Sequence, residues 1–204
     1  MTDSSNRPGV RVMASADVAD DATIGAGTTV WHLAQVREDA ELGTGCVIGR
    51  GAYVGPGVIM GDNVKLQNYA LVYEPARLAD GVFVGPAAVL TNDTYPRAVT
   101  PQGRLKKAAD WAAVGVVVGT GAAIGARAVC VAPVTIGRWA LVAAGAVVVS
   151  DVADFALVAG VPARRIGWVG RAGVRLTATG PGEFACPNDG TRYTEVDGQL
   201  TEAR

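Results

Sequence analysis

One histidine and two acidic stretches are the residues whose chemistry stands out. His32 is the sole histidine of the 204-residue chain, and an imidazole exchanges protons near neutral pH. Glu74 and, 18 positions later, Asn92 with its neighbour Asp93 supply two further carboxylates. His32, Glu74 and Asp93 are thus the candidate general bases. Each has a plainer reading beside it. His32 is either such a base or a structural histidine held next to Trp31, and Asn92-Asp93 is either a functional pair or ordinary turn chemistry, because both residue types favour loop starts. Arg164-Arg165 suits phosphate, since a guanidinium offers paired donors to two oxygens; a solvated basic pair is the alternative. The cysteines at 46, 130 and 186 have no metal or redox spacing, and Cys130 reads as a small buried hydrophobe.

What positions these residues is a repeat. From Val12, every sixth residue through Val18, Ile24, Val30 and onward to Leu90 is aliphatic or Met, 14 positions without a miss. The beat resumes at Val118 and runs through Ile124, Cys130, Ile136 and Val142 to Val148. Neither an amphipathic helix nor a simple alternating strand has a period of six, whereas a parallel β-helix does. Each hexad is a short strand plus a turn, three hexads close a triangular coil of about 18 residues, and coils stack at roughly 4.8 Å. Residues 18 apart therefore share a column, which places Glu74 beside Asn92 at one corner and His32, Arg50 and Asn68 in a second column.

Composition agrees with this architecture and removes several function classes. Aromatics make up 6% of the chain and glycine contributes 27 residues, as expected for a narrow aliphatic interior with corners that need positive φ. The formal net charge of −1 advertises neither nucleic acid nor an anionic membrane. No run of some 20 apolar residues exists to span a bilayer, and residues 1–11 lack the apolar stretch of a signal peptide. A cytoplasmic, reduced setting is the expectation.

Taken in order, residues 1–11 read as an N-terminal arm and 12–150 as the β-helix. The beat is interrupted over 92–113, where two prolines and the basic run Arg104-Leu105-Lys106-Lys107 mark a loop extruded on one face. Residues 151–204 read as a closing segment, needed because an open strand edge invites aggregation, followed by a hairpin over 183–200 turning at Pro187-Asn188-Asp189-Gly190.

Six motifs in this frame resemble one family. They are Val30-Trp31-His32, Lys65-Leu66-Gln67-Asn68, Val72-Tyr73-Glu74, Val84-Gly85-Pro86, Thr91-Asn92-Asp93-Thr94-Tyr95-Pro96-Arg97 and Ala159-Gly160-Val161-Pro162-Ala163-Arg164. The chain resembles the left-handed β-helix acyltransferases, and more narrowly the enzymes that N-acetylate 3-amino sugars on UDP or dTDP carriers. The resemblance implies the left hand, a homotrimer, and acetyl-CoA lying in a groove between neighbouring subunits. It implies that Asn92 orients the amine, that Asp93 assists it or anchors the loop, and that no side-chain base is required. It places Asn68, Tyr73, Glu74, Tyr95 and Arg97 against the nucleotide sugar, and Ala144, Gly145, Arg164 and Arg165 against acetyl-CoA, with a backbone N–H at Ala144 or Gly145 receiving the oxyanion. The tail departs from relatives that end in Cys-Pro-x-Cys-Gly: Cys186-Pro187-Asn188-Asp189-Gly190 keeps one cysteine, too few for a structural zinc, so no metal is expected.

The expected function is transfer of an acetyl group to the amine of a nucleotide-linked amino sugar. O-acetylation, transfer of a longer acyl chain, and a non-catalytic β-helix scaffold are the competing readings. A zinc-dependent carbonic anhydrase on the same fold needs three histidine ligands, and this chain has one. The register itself makes a first prediction. Ile48→Asp buries a carboxylate with no partner, and no soluble, folded protein is expected; a folded mutant by circular dichroism would contradict the hexad assignment.

Overall fold

In the computed structural model, which describes residues 8–203, the solenoid is built from two- and three-residue strands that recur every six residues. They form three parallel sheets, the faces of a triangular prism. The first face begins with Arg11–Val12, Thr29–Val30 and Val47–Ile48, the second with Asp17–Val18 and Gln35–Val36, and the third with Thr23–Ile24 and Glu41–Leu42. Each strand pairs in parallel with the one 18 residues on, as Val30 with Ile48 and Val36 with Val54. The corner after each face carries the same ordinal below. Of the arm expected over 1–11, residues 1–7 lie outside the described residues.

The key aliphatic of each hexad points inward and is buried from Val30 to Val148. A second inward column lies two residues earlier and is mostly alanine, including Ala34, Ala40, Ala70, Ala88 and Ala128, with Cys46 and Thr28 among its members. One large side chain and one of alanine to valine size per hexad fill the shaft, valine standing in the second column at 58, 64, 82, 116 and 134. Burying each large one contributes about 1.5–3 kcal/mol. Thr28, the buried polar member, donates to the Gly43 carbonyl at 3.0 Å and accepts from the Cys46 N–H at 2.9 Å. Burial pushes the Cys130 thiol up to about 12, in keeping with a purely space-filling role.

Glycine serves the corners in two distinct ways. The one directly after the key aliphatic has ordinary φ and faces the backbone of the next coil: a Cβ on Gly125 would lie 2.4 Å from the Ala144 nitrogen. The one two places further on has positive φ, as Gly57 at 61°, and several hexads put other residues there, among them Leu33 and Tyr69 at 60° and Trp139 at 58°. The expectation that corner glycines exist for positive φ thus covers only half of them.

Two register changes interrupt the 18-residue step. Leu90 pairs with Cys130, so the register jumps by 40, and the additional 22 residues form the extruded loop. The second change falls where the sequence reading ended the coils near Val148. Val152 still bridges to Ile136 and Val158 pairs in parallel with Val142, so a further partial coil follows a step of 16. Its strand, Ala156–Gly160, then folds back antiparallel onto Ala163–Trp168. The expected hairpin over 183–200 is part of a larger unit. Glu183–Ala185 and Arg192–Val196 pair as anticipated, but Thr177–Gly180 and Gln199–Glu202 flank them in a four-stranded antiparallel sheet.

The outward residues differ by face. The second face presents the in-register stripe Tyr53, Leu71, Val89, Val129 and Val147, and the first presents Phe83, Ala123, Leu141 and Leu157. The third is mixed, with Glu41, Arg77 and Thr135 exposed. No helix among the described residues is long and apolar enough to cross a membrane.

The two kinds of corner glycine separate experimentally. Gly125→Ala forces coils apart and should cost about 2–3 kcal/mol, an overpacking penalty. Gly57→Ala meets no atom within 4 Å and should cost about 1 kcal/mol through backbone strain alone. Chemical denaturation of both variants checks the order; a reversal rejects the close-approach explanation.

Candidate functional site

At the corners the second residue after the key aliphatic, proline at 56 and 86 apart, has an N–H that no backbone carbonyl takes among the described residues. Where the next coil carries an amide or carboxylate in that column, it accepts this N–H: Asn68 Oδ1 from Arg50 at 3.0 Å, Asp62 Oδ1 from Thr44 at 2.7 Å, and Asp80 Oδ1 from Asp62 at 2.8 Å. The Thr44 N–H is the main reason the Asp62 carboxyl sits below the usual carboxylate range. Polar residues spaced by 18 are therefore partly structural caps, and Asn68 is one of them.

The second corner departs from this pattern. Register along the second face stacks Arg37-Glu38, Gly55-Pro56, Tyr73-Glu74 and Thr91-Asn92 on successive rungs. Glu74 folds back over Gly55, where a Cβ would lie 2.5 Å from its Oε2. That Oε2 is buried and has no hydrogen-bond partner among the described residues. Buried acceptors are nearly always paired, so an orphan carboxylate oxygen at a half-open corner is a prepared receptor for a donor group. Tyr53 and Tyr73 stand beside it with ring centroids 5.1 Å apart. Burial, then the nearby Glu74 carboxylate, pushes the Tyr53 phenol up. Tyr53 and Arg37 were missed in the sequence; counting back by 18 from Tyr73 reaches Gly55 and then Arg37, whereas Tyr53 falls in the outward column of Leu71.

One rung beyond Glu74 the loop leaves the solenoid. The Asn92 carbonyl accepts from the Val114 N–H at 3.0 Å and so closes the base of the loop. Asp93 Oδ1 accepts from the Tyr95 N–H at 2.7 Å, the turn contact that favours aspartate at loop starts. The Asn92 amide itself carries no side-chain hydrogen bond among the described residues and remains open for use. Further out, Val99 bridges Leu105, and Arg104 forms a two-pronged pair with Asp110 at 2.7 and 2.9 Å; that pairing holds the Asp110 carboxyl low. Tyr95 is 80% exposed, and among the described residues Arg97 Nη1 donates only to the neighbouring Pro96 carbonyl. Neither packs the loop.

The remaining expected residues lie elsewhere on the chain. His32 is at the first corner, exposed, with Nδ1 2.9 Å from Ser15 Oγ. A cavity of about 260 Å³ opens beside it between Trp31, Arg50, Gln67 and Asn68. Ala144 and Gly145 are at this first corner too. The Gly145 N–H is spent on the Ala126 carbonyl at 2.9 Å, whereas the Ala144 N–H is unpartnered among the described residues. Within one chain, then, Glu74, Asn92 and Asp93 come together, while His32, Asn68, Ala144 and Gly145 stand across a full face from them.

At the C-terminal end, Arg164 and Arg165 line a second cavity of about 260 Å³ with Ser150 and Asp151, in line with the second corner. Among the described residues Arg164 donates only to the Ala163 carbonyl. Arg165 is committed: it pairs with Glu195 at 3.0 Å and lies 4.0 Å over the Trp168 ring, whose Nε1 donates to the same carboxylate at 2.8 Å. This clamp fastens the four-stranded tail to the hairpin. Phe155 against Tyr193, at 5.5 Å, and Arg171 over Trp139, at 5.3 Å, seat the tail on the third corner. In the tail, Asp189 stands where the resembled element has its second cysteine, and its Oδ1 accepts from the Thr191 N–H at 2.9 Å. No group of three metal-binding side chains converges among the described residues.

Comparison with known proteins agrees with this architecture. Residues 21–56 match the family model for the bacterial transferase hexapeptide (six repeats), and 115–150 match the hexapeptide repeat of succinyl-transferase. The bifunctional protein GlmU of Nitratidesulfovibrio vulgaris is 36% identical over 143 residues, covering 67% of this chain and 30% of its own length. GlmU of Streptomyces griseus is 26% identical over 94% of this chain and 41% of its own length. The chain thus spans about a third of the length of these curated relatives. Among solved structures, a point mutant of perosamine N-acetyltransferase from Caulobacter crescentus, in complex with CoA and GDP-perosamine, is 27% identical with a TM-score of 0.50, covering 78% of this chain and 56% of that one. LpxA of Bacteroides fragilis, a UDP-N-acetylglucosamine acyltransferase, has a TM-score of 0.64 at 17% identity, covering 78% of this chain and 61% of its own, a likeness of fold. The chain is therefore a hexapeptide-repeat protein with the left-handed β-helix architecture of the acyltransferases, and among them it resembles the amino-sugar N-acetyltransferases.

Proposed function

We propose that this protein transfers the acetyl group of acetyl-CoA to the amine of an amino sugar carried on UDP or dTDP. The observation that carries the reading is the buried, unpartnered Oε2 of Glu74 one rung from the open amide of Asn92. Together they offer acceptors to the N–H and O–H groups of an amino sugar at the root of a loop long enough to cover it. The structural neighbour crystallised with CoA and GDP-perosamine supports the reaction class; the carrier nucleotide is our own reading.

In this scheme Asn92 Oδ1 accepts an N–H of the neutral amine and aims its lone pair at the thioester carbonyl. Glu74 takes a second donor from the sugar, and Asp93 holds the loop root through its contact with the Tyr95 N–H. Attack forms the C–N bond, collapse breaks the C–S bond, and the surplus amine proton leaves with the CoA thiol. Orientation and avoided reorganisation supply most of such an acceleration. His32, occupied with Ser15 on another corner, is assigned no proton-transfer role. Tyr73, Tyr95 and Arg97 flank the nucleotide sugar, and Arg164 is the arginine of its pair left free for the CoA phosphates.

The assembly is a homotrimer. The first and second faces carry the apolar stripes, and the corner between them displays Leu33 and Tyr69, both more than half exposed and at φ 60°. The second corner bears the loop and the third bears the tail, so the first alone is clear to approach a threefold axis.

Thiol release from acetyl-CoA with a panel of UDP- and dTDP-amino sugars tests the activity. Asn92→Ala should lose at least tenfold in turnover with the trimer intact, and His32→Ala less than tenfold; wild-type turnover in the first, or a thousandfold loss in the second, reverses the assignments. A scaffold would gain no stability from acetyl-CoA, whereas binding at 100 times the dissociation constant adds about 2.7 kcal/mol.

A further inference from the structure

We infer that Glu74 rests in a capping position from which Pro56 has removed the donor, and that an N–H or O–H of the amino sugar draws its carboxylate out of that place. Pro56 is then a positioning residue for the proposed reaction. The inference rests on the reading that Glu74 serves the sugar, and deepens it by naming what keeps its oxygen free.

Three corner caps share one station. In each, an oxygen from the next coil lies over the glycine that follows the key aliphatic and accepts the N–H of the residue after that glycine. Asp62 Oδ1 lies over Gly43, 2.5 Å from where a Cβ would stand, and takes the Thr44 N–H at 2.7 Å. Asp154 Oδ1 lies over Gly137, 2.7 Å from the same point, and takes the Arg138 N–H at 2.7 Å. Asp80 Oδ1 lies over Gly61 and takes the Asp62 N–H at 2.8 Å. Glu74 Oε2 occupies this station over Gly55, again at 2.5 Å. The residue after Gly55 is Pro56, and proline has no N–H to give. The missing donor accounts for the orphan oxygen.

A proline beneath an acceptor is peculiar to this rung. The other corner with proline in the same place, Gly85-Pro86, lies under Ala126, whose methyl group accepts nothing, so the lost N–H strands no side chain. Nor does a neighbour step in at Glu74. The Tyr53 phenol lies close enough for the carboxylate to push it up, yet Oε2 has no partner among the described residues. A buried acceptor held without a donor bears its desolvation uncompensated. The side chain recovers that loss by turning to meet a donor outside the corner, and a sugar held by Asn92 one rung further on brings such a donor within reach. An N–H on residue 56 would satisfy the oxygen at rest and oppose the same movement.

Returning that N–H tests the inference. Pro56→Ala and Pro56→Ser should raise the melting temperature by about 2–4 °C, through a new hydrogen bond to a charged group. The KM for whichever amino sugar of the panel is turned over should rise about tenfold, with the KM for acetyl-CoA unchanged. Pro86→Ala supplies the baseline, since losing a corner proline by itself lowers stability through the unfolded chain. In a Glu74→Ala background the gain should vanish and Pro56→Ala should melt as Pro86→Ala does, relative to its parent. A crystal structure of Pro56→Ala should show Glu74 Oε2 within about 3 Å of the new nitrogen. A Pro56→Ala protein no more stable than Pro86→Ala overturns the inference, and so does a stabilised variant whose KM for the sugar is unaltered. Should the wild-type protein release no thiol with any amino sugar, the acyl-transfer reading fails instead, and the melting comparison with the crystal structure still decides whether the cap is vacant.

Discussion

The hydrogen bond from one coil to the next, made every third hexad without slippage, is the interaction on which the rest of the structure depends. A strand of two residues has no stability of its own; it persists because its N–H and C=O groups are taken by identical strands above and below. That pairing holds only if coils sit within strand spacing, and the approach is so close that nine or more corners leave no room for a Cβ. Backbone pairing, alanine in the small inward column and glycine after the large one are three aspects of one distance.

That distance also decides where chemistry resides. Side chains on the faces are consumed by stacking, and corner N–H groups are capped by amides or carboxylates of the following rung, so most polar corner residues have structural work. Capping fails at the second corner, where Glu74 retains an oxygen with no donor and Asn92 an amide with no partner among the described residues. Both sit where the loop breaks the regular column.

The large inward residues, the three-sided coil and the pairing of Glu74 with Asn92 were legible in the sequence, because a six-residue beat needs no knowledge of contacts. The alanine column was equally periodic but is hidden in a chain where alanine is common everywhere. The last partial coil was lost to a two-residue shortening: Val152 and Val158 keep the beat with each other and break it with Val148. The tail was half legible. Its central hairpin announces itself at Pro187 to Gly190, whereas Thr177–Gly180 is short, small and polar and gives no strand signal. Relations between corners, and hence the separation of His32 and Ala144 from Asn92, follow from geometry that column counting within one corner does not contain. The commitment of Arg165 to Glu195 and Trp168 depends on a partner 30 residues away.

The jump in pairing register across the loop bears on how the chain comes together. Every other coil-to-coil pairing closes a loop of 18 residues or fewer, whereas the three across the loop, Leu78 with Val118, Val84 with Ile124 and Leu90 with Cys130, each span 40, which adds about 0.7 kcal/mol of chain entropy to closing the first of them. The seam between the coils before the loop and those after it is therefore one whole turn of the solenoid, and the corner that bears Asn92 lies at its final third.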